Sequence, residues 1–369
     1  MAGNRCIAVD ARMIESSGIG TYLRILLENN VYDIAVGDPE VIHRYNPDIP
    51  VIEFKAGIYG LQEQLKYPVK ELKQAGVTLM HFPHYNVPFL FPLPYVVTIH
   101  DLIHIVFPEF MKNRIAAVYA RLLMKHTADH AAKILTDAEY TKKDLIKRLH
   151  VGQDRIRVIP LTVDPVFRVI ENIDESAVRE KFHIPEHKKL LLYVGNIRPH
   201  KNVALFLKAF SKSSHQDDAV IVLAGKSTID EEMKALEEEL NLSQKVIHTG
   251  LISEADLINL YNIAYGFVFP SLYEGFGLPP LEAMACGTPV ICSNSSTLPE
   301  VAEGAALLFD PHKQAELTEC IDRLLSDESL HQELIQKGFE QVKKFPKEEF
   351  IQKTKDALEG IQKESDHQI

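Results

Sequence analysis

Short apolar runs of strand length alternate with longer helix-like segments along the whole chain. The runs are almost continuous in valine, isoleucine and leucine, which is typical of parallel strands buried on both faces. They occupy residues 6–9, 77–82, 95–99, 133–135, 189–194, 219–223, 245–248, 267–269, 290–291 and 306–309. This alternation predicts an α/β protein whose parallel sheets are wrapped by helices.

The series of strands restarts after residue 164. The segment Ile159-Pro-Leu-Thr-Val-Asp164 contains a proline-bearing turn, and a polar, helix-prone stretch follows it. A chain of 369 residues also exceeds the roughly 250 to 300 residues at which a single hydrophobic core stops growing. Both observations predict two Rossmann-like, doubly wound domains, 1–164 and 165–345. A last amphipathic helix is predicted after Pro346, at about 347–362.

The charge of the chain is unevenly distributed. The net formal charge is -11, yet residues 1–163 carry 19 lysines and arginines against 17 acidic residues. A mostly acidic chain disfavours nucleic-acid binding, which needs a concentrated basic surface. The mildly basic first half is compatible with contact to anionic membranes or acceptors, although an ordinary solvated surface explains the same counts.

The cysteines and the apolar segments bear on cellular location. Cys6, Cys286, Cys292 and Cys320 are widely separated, which favours reduced core thiols over disulfides or a zinc site. The first residues lead directly into a strand, and no stretch reaches the roughly 18 apolar residues of a membrane span. We therefore expect a cytoplasmic protein, at most peripheral at the inner face of the cytoplasmic membrane.

Doubly wound domains bind ligands at the carboxyl ends of their strands, so the motifs at those ends are informative. Gly18-Ile-Gly20 follows the first strand but lacks the third glycine of a dinucleotide fingerprint. The chain also contains no Walker-type Gly-Lys-Ser/Thr loop. A dehydrogenase or a kinase is therefore poorly supported.

The second domain offers a different anion site after the strand at 267–269. A loop at 272–277 leads into a helix that begins near Leu278 and is expected to end by Gly287. The free N–H groups at such a helix start can receive a diphosphate. Glu274 and Glu282 flank this position, and a carboxylate can accept hydrogen bonds from vicinal sugar hydroxyls. Taken alone, such a pair is also explained by chance and by the helix dipole.

Residues 270–290 resemble the hallmark of glycosyltransferase family 4, in which two glutamates are separated by seven residues. The resemblance covers nearly the whole chain and includes Val194-Gly-Asn-Ile-Arg-Pro-His-Lys-Asn202, Val222-Leu-Ala-Gly-Lys226 and Val97-Thr-Ile-His-Asp101. It implies the GT-B architecture, two Rossmann-like parallel-sheet domains that face each other across a cleft. Residues 1–164 would bind the acceptor and 165–345 the nucleotide sugar, while the helix at 346–369 would pack back on the first domain.

The family likeness implies a role for each matching residue. Glu282 would bind the ribose hydroxyls, Glu274 the hydroxyls of the donor sugar, and Lys201 the diphosphate, on which negative charge develops. The catalytic residues implied are His100, Glu274, Lys201 and Arg198. The donor-binding residues implied are Gly18, Gly20, Gly195, Asn196, Arg198, Lys201, Gly225, Lys226, Glu274, Gly275, Phe276, Gly277, Leu278 and Glu282.

The sequence departs from the family pattern in one place. Asn196 occupies the usual arginine position, and we expect Arg198 to supply the second positive charge, with a solvated loop arginine as the alternative. His100 matches the family histidine near the C6 hydroxyl of the donor sugar, although a histidine at a strand end can be structural. Gly18 and Gly20 are expected to form a flexible loop.

Three further polar residues follow a strand of the first domain, and we expect them to line the acceptor side rather than to bind a metal. They are His81, His84 and Tyr85.

The resemblance implies a retaining hexosyltransferase that needs no divalent metal and no cofactor beyond its nucleoside-diphosphate sugar. We expect it to act on a glycan or lipid-linked acceptor in surface polysaccharide biosynthesis. UDP-glucose is the favoured donor and GDP-mannose the next. The alternatives are a sugar-nucleotide epimerase or phosphorylase of the same architecture, and an inactive nucleotide-sugar-binding subunit.

Overall fold

The computed structural model describes residues 5–111, 113–226 and 231–365. The chain divides into two compact units, one comprising Met1–Thr162 with Lys347–Ile369 and the other comprising Val163–Pro346. Each unit is built on one parallel sheet.

The first unit contains a seven-stranded sheet and eight of the described α-helices. Its strands are β1 (Ile7–Asp10), β2 (Ile34–Gly37), β3 (Val51–Glu53), β4 (Leu79–Phe82), β5 (Tyr95–Thr98), β6 (Lys133–Thr136) and β7 (Ile156–Val158). Its helices are α1 (Ser17–Glu28), α2 (Pro39–Ile42), α3 (Leu61–Lys66), α4 (Val69–Gln74), α5 (Ile103–Val106), α6 (Arg114–His130), α7 (Glu139–Leu149) and, at the end of the chain, α16 (Lys347–Ser365), with 3-10 turns at Pro108–Phe110 and Gln153–Arg155. The strand order is β3-β2-β1-β4-β5-β6-β7.

The second unit repeats this plan with a six-stranded sheet. Its strands are β8 (Lys189–Val194), β9 (Ala219–Ala224), β10 (Val246–Gly250), β11 (Gly266–Phe269), β12 (Val290–Ser293) and β13 (Ala306–Phe309). Its helices are α8 (Glu175–Lys181), α9 (Val203–Phe210), α10 (Glu231–Glu239), α11 (Glu254–Ile263), α12 (Leu278–Ala285), α13 (Leu298–Ala302), α14 (Gln314–Ser326) and α15 (Glu328–Val342), with a 3-10 turn at Pro199–Lys201. The strand order is β10-β9-β8-β11-β12-β13.

The central strands are buried on both faces, as their apolar sequences predict. Every residue of β1, β4, β5, β9, β11 and β12 is buried. The burial of both faces requires helices on each side of the sheet, so the predicted fold class, two parallel-sheet α/β domains, is confirmed. All ten predicted strands are present, and β2, β3 and β7 are additional.

The order of strands reverses once in each sheet. The reversal lies between β1 and β4 in the first sheet and between β8 and β11 in the second. Loops leave in opposite directions from the carboxyl ends of two such neighbouring strands, which opens a crevice where ligands bind in doubly wound proteins. Functional residues are therefore expected directly after these four strands.

The four cysteines are free thiols; Cys6 is partly buried and the other three are buried. The prediction of reduced core thiols thus holds for three of the four. Within the described residues, no helix is both long and apolar enough to cross a membrane.

Candidate active site

An ion pair lies at the point where the second sheet reverses. Lys201 ends the 3-10 turn that follows β8, and Glu274 lies in the loop that follows β11. The Nζ of Lys201 donates a hydrogen bond to Oε1 of Glu274 at 2.6 Å, and the two side chains are 20% and 13% exposed. The backbone N–H of Leu272 also donates to the carbonyl of His200 at 2.8 Å, which joins the two loops. Sequence positions 73 residues apart thus meet at one edge of the sheet.

The loop that carries Glu274 is fastened by hydroxyl side chains from the neighbouring strand end. The N–H of Glu274 donates to Ser296 Oγ at 2.9 Å, and Thr297 Oγ1 donates to the carbonyl of Phe276 at 2.9 Å. Ser295 Oγ donates to the carbonyl of Leu272 at 2.7 Å. These side chains hold the backbone on both sides of Glu274. They were not predicted, although a run of hydroxyl residues directly after a buried strand is a signal for such support.

Helix α12 starts immediately after this loop. Its N-cap is Gly277, whose φ of 104° is a conformation that side chains disfavour, so glycine suits this position. Proline occurs within the first two positions of the helix, as expected at a helix start. Pro279 and Pro280 have no N–H, so this helix start can offer an anion the N–H groups of Gly277 and Leu278.

Glu282 lies one turn into α12 and is only partly exposed. Its Oε2 accepts a hydrogen bond from the hydroxyl of Tyr261 at 3.0 Å. Burial raises the pKa of Glu282 from 4.5 to about 7, and the Tyr261 hydrogen bond opposes this rise only in part. A ligand that donates hydrogen bonds to this carboxyl group would favour its charged form and lower the pKa again.

A glycine lies at the carboxyl end of each of three adjacent strands of the second sheet. Gly195 directly follows β8, Gly225 directly follows β9, and Gly250 is the last residue of β10. The φ of Gly225 is 149°, and a Cβ built there would lie 2.4 Å from the carbonyl oxygen of Gly195. Only glycine permits this close approach of the two backbones. The edge beside Lys201 therefore exposes backbone rather than side chains.

The first unit brings His100 together with a carboxylate. His100 follows β5 and Asp137 follows β6, and Nδ1 of the histidine donates to Oδ2 of Asp137 at 2.6 Å. Burial, the largest single effect, lowers the pKa of His100, but the carboxylates of Asp137 and Asp101 together with the backbone of Pro83 raise it overall. Nε2 of His100 is buried and has no hydrogen-bond partner among the described residues. This arrangement fixes the imidazole by one nitrogen and leaves the other free for a ligand.

A buried charged cluster lies where the first sheet reverses. The guanidinium of Arg12 donates to Asp10 at 2.6 Å and to Glu63 at 2.5 Å. Asn86 donates to the same Glu63 oxygen at 2.6 Å, and His84 donates to Asn86 at 2.8 Å. Burial alone would lower the pKa of Arg12, but its carboxylate neighbours raise it. None of Asp10, Arg12 or Glu63 was predicted, although Asp10 and Arg12 lie at the end of a buried strand, where polar residues are a signal for a site.

Comparisons with known proteins identify the family. Residues 174–341 match the family described as glycosyl transferases group 1, and residues 32–167 match the one described as glycosyltransferase family 4. The O-antigen chain mannosyltransferase B of Escherichia coli is 30% identical over 271 residues, which cover 72% of this chain and 70% of that protein. The chain belongs to the group 1 and family 4 glycosyltransferases. The predicted family is thereby confirmed.

One further relative of this glycosyltransferase and one solved structure are informative. The serotype-specific mannosyltransferase WbdA of Escherichia coli is 32% identical over 280 residues, 71% of this chain. This chain spans only about a third of WbdA, since the match covers 32% of that protein. HepE of Anabaena, solved in complex with UDP-glucose, has a TM-score of 0.80 at 17% identity and covers 97% of this chain and 100% of its own. This structural likeness confirms the GT-B fold.

Three predicted donor residues of the glycosyltransferase have exposed side chains. The side chains of Asn196, Arg198 and Lys226 are exposed. None of these three side chains makes a hydrogen bond or ion pair with another part of the chain that the structure describes. Their roles, including the charge that Arg198 would supply, stay predictions, as do those of Gly275, Phe276 and Leu278.

Two predictions about the first unit of the glycosyltransferase are wrong. Gly18 and Gly20 do not form a flexible loop, because α1 begins at Ser17 and includes both. His81 does not line an acceptor surface, because it lies inside β4, fully buried and hydrogen-bonded to Tyr32 and Thr98. Burial lowers the pKa of His81 to about 3, so it is a neutral core residue.

The other two residues of that prediction do follow β4. His84 is partly exposed, whereas Tyr85 is buried and its hydroxyl is 2.5 Å from Nδ1 of His104. The described residues contain no group of three or more histidine, cysteine, aspartate or glutamate side chains that could hold a metal ion.

Proposed function

We propose that this chain is a retaining glycosyltransferase that moves a hexose from a nucleoside-diphosphate sugar to a hydroxyl of a glycan or lipid-linked acceptor. The observation that carries this proposal is the Lys201–Glu274 pair, 2.6 Å long, at the reversal point of the second sheet. The second unit would be the nucleotide-sugar domain and the first unit the acceptor domain. The names of the relatives support a role in the synthesis of surface polysaccharide.

The proposed reaction needs no protein nucleophile. The acceptor oxygen bonds to the anomeric carbon on the face from which the diphosphate leaves, while the bond between that carbon and the phosphate oxygen breaks. The departing phosphate oxygen takes the proton of the acceptor hydroxyl. Lys201 and the N-terminus of α12 stabilise the charge that develops on the diphosphate, so positive charge is supplied without a divalent metal.

Glu274 has two successive partners in this proposal. Its carboxylate is paired with Lys201. When the donor binds, the diphosphate takes over the lysine, and the carboxylate becomes free to orient the hydroxyls of the sugar. Glu282 would bind the ribose, and His100 keeps its proposed role as the ligand-facing residue of the first unit.

The donor is proposed to carry mannose. No residue of the sequence decides the nucleotide base, and the family resemblance alone places UDP-glucose before GDP-mannose. Two relatives at 30% and 32% identity, however, are named mannosyltransferases. The structure that contains UDP-glucose is only 17% identical, so it supports the fold rather than the donor. We therefore place GDP-mannose first and UDP-glucose second.

A thermal-unfolding panel of GDP, UDP and ADP sugars tests the proposal, because a ligand that binds only the folded state stabilises it. We expect GDP-mannose to give the largest shift and to be consumed when an acceptor glycan is added. Product analysis with the donor alone should show only slow hydrolysis; rapid conversion to another sugar nucleotide would instead indicate an epimerase.

The variant Lys201→Ala should lower turnover by about a hundredfold, since it removes the charge that stabilises the leaving diphosphate. Lys208→Ala is the matched control, because Lys208 is an exposed lysine on the nearby helix α9. Equal turnover of the two variants would contradict the proposed role, and a chain that consumes no nucleotide sugar would contradict the function.

A further inference from the structure

Three aromatic side chains of the first unit lie in a row that ends at His100. They are Phe350 on α16, Tyr22 on α1 and His100 itself, which follows β5. The ring centroids of Phe350 and Tyr22 are 5.6 Å apart at an interplanar angle of 69°, and those of Tyr22 and His100 are 5.1 Å apart at 80°. Nearly perpendicular contacts at these distances are favourable between aromatic rings. We call these three residues the Phe350–Tyr22–His100 row.

Tyr22 is held through its helix and through its hydroxyl group. A Cβ built on Gly20 would lie 2.5 Å from the carbonyl oxygen of Ile14, so glycine permits the start of α1 to lie against the preceding loop. The hydroxyl of Tyr22 shares a hydrogen bond of 3.1 Å with that of Thr98, the last residue of β5. Thr98 precedes His100 by two residues. Tyr22 therefore contacts both the imidazole and the strand that leads to it.

Helix α16, which belongs to the first unit, has one buried face. The buried residues of this face are Phe350, Thr354, Ala357, Leu358 and Ile361. Their spacing follows the period of an α-helix. The hydroxyl of Thr354 donates to the carbonyl of Phe350 at 2.8 Å. Phe350 lies in the first turn of α16, so the packing of this helix determines where its ring contacts Tyr22.

The hydrogen bond to Asp137 fixes one nitrogen of His100 but not the tilt of its ring. The imidazole can still rotate about that bond, which joins Nδ1 to the carboxylate at 2.6 Å. The buried ring of Tyr22 contacts the imidazole and restricts this rotation. The direction of Nε2, which is buried without a hydrogen-bond partner among the described residues, therefore depends on Tyr22 as well as on Asp137.

We propose that Tyr22 and Phe350 are positioning residues that hold Nε2 of His100 in one orientation for the donor sugar. Tyr22 acts by direct contact with the imidazole, and Phe350 acts through Tyr22. Neither residue touches the sugar itself. The inference rests on the proposed role of His100 in sugar transfer. It gives a role to two residues for which the sequence predicted none, one of them on the last helix of the chain.

NMR of the full chain follows the position of His100 without any sugar donor. The chain has 16 histidines, so the Cε1–H signal of His100 is assigned by its loss in His100→Ala. A nearby aromatic ring shifts such a signal, so Tyr22→Leu should move it and Tyr22→Phe should move it less. Phe350→Ala should also move it, because Tyr22 loses its neighbour. Leu358→Ala, at a buried position about two turns further along α16, is the matched control and should leave it unchanged.

Steady-state kinetics test whether this orientation matters for the reaction. Tyr22→Leu and Phe350→Ala should each lower turnover about tenfold, because a displaced catalytic group loses much of its effect. Tyr22→Phe and Leu358→Ala should keep most of the turnover, and all four variants should bind the nucleotide as the unaltered chain does. In the double variant Tyr22→Leu with His100→Ala, the first change should have no further effect, because no imidazole is left to position.

Two results would overturn the proposal. The His100 signal could stay unchanged in Phe350→Ala, or Tyr22→Leu could lower turnover by the same factor with and without His100, as a general loss of stability would. If Phe350→Ala does not fold, Phe350→Leu, which removes the ring but leaves a smaller cavity, takes its place. A chain that transfers no sugar would contradict the proposed function, while the NMR signals would still decide whether the Phe350–Tyr22–His100 row positions the imidazole.

Discussion

The buried carboxyl group of Glu282 destabilises the folded chain when it is charged, and the same group is proposed to bind the ribose. Its pKa is raised to about 7 by burial, so the folded chain holds this proton more tightly than the unfolded chain does. The stability that the protonated form provides is fully present below the ordinary pKa of 4.5 and is lost as the pH rises through about 7. At higher pH the ligand-free chain therefore keeps an unfavourable buried charge, which the hydroxyls of a bound ribose would relieve.

The variant Glu282→Gln should thus stabilise the ligand-free chain at pH 8 by about 1 to 3 kcal/mol and have little effect at pH 5. It should also weaken nucleotide binding, because an amide accepts fewer hydrogen bonds than a carboxylate. Urea unfolding at both pH values and a binding titration measure these effects. Glu319→Gln, on an exposed face of α14, is the control. An equal change in stability at both pH values would contradict this account.

The pairing of His100 with Asp137 sets the protonation of the free nitrogen. Because the carboxylate raises the pKa of His100 against the opposing effect of burial, Asp137→Asn should lower that pKa. We expect turnover to fall about tenfold to a hundredfold and the acid limb of its pH profile to move to lower pH. The imidazole signal, followed by NMR over a pH series, reports the pKa directly. An unmoved histidine titration would show that the 2.6 Å contact has no electrostatic effect.

Some charged residues of the candidate site can be predicted from the sequence, and others cannot. Lys201, Glu274 and Glu282 were identified because the family motif contains them. Asp137 was not, although it directly follows the predicted strand at 133–135. Its contact with His100 depends on β5 and β6 being neighbours in the sheet, and strand order is not encoded in the apolar pattern.

The loop before α12 depends on hydrogen bonds from outside its own segment. Thr297 is fully buried, and its single O–H is shared between the carbonyls of Glu274 and Phe276, which lie 3.2 and 2.9 Å from Oγ1. The O–H of Thr318, on α14, is likewise shared between the carbonyls of Ala209 and Gln314, both 3.1 Å from Oγ1. The two threonines therefore have similar bonds but lie in different places relative to Glu274.

Replacing either threonine by valine should cost about 1 kcal/mol in free energy of unfolding, since one hydroxyl is lost at nearly constant shape. Only Thr297→Val should also lower turnover, by about tenfold, because it loosens the backbone that positions Glu274. Steady-state kinetics and chemical unfolding of both variants make the comparison. Equal turnover of the two variants would show that this loop is held by other contacts.

At the scale of elements, the strands that were missed share a physical explanation. β3 and β7 are the edge strands of the first sheet, and each is only three residues long and includes an exposed residue. They need no continuous apolar run and show none. β2 is buried but spans only four residues. The glycines at 18 and 20 suggested a loop, yet α1 starts at Ser17 and the helix tolerates them.

The same strand plan occurs twice in the molecule, but the two reversal points differ chemically. In the first unit, Arg12 is buried and forms ion pairs with two carboxylates of the chain, so its charge is already neutralised there. In the second unit, the single pair of Lys201 and Glu274 is partly exposed and lies beside a helix N-terminus and a row of glycines. A diphosphate can displace the one carboxylate of Glu274 from Lys201 more readily than it can displace two carboxylates from the buried Arg12. The second unit is therefore the expected nucleotide domain.

Hydrogen exchange of the whole chain tests this assignment. Added GDP-mannose should slow exchange at the N–H groups of Gly277 and Leu278, where α12 begins, because bound phosphates accept these groups and suppress local opening. The strand ends around Arg12 should exchange as before. Lys201→Ala should abolish the protection at a nucleotide concentration that saturates the unaltered chain. Protection confined to the residues around Arg12 would instead place the donor on the first unit, where the buried guanidinium would have to exchange its carboxylate partners for phosphate.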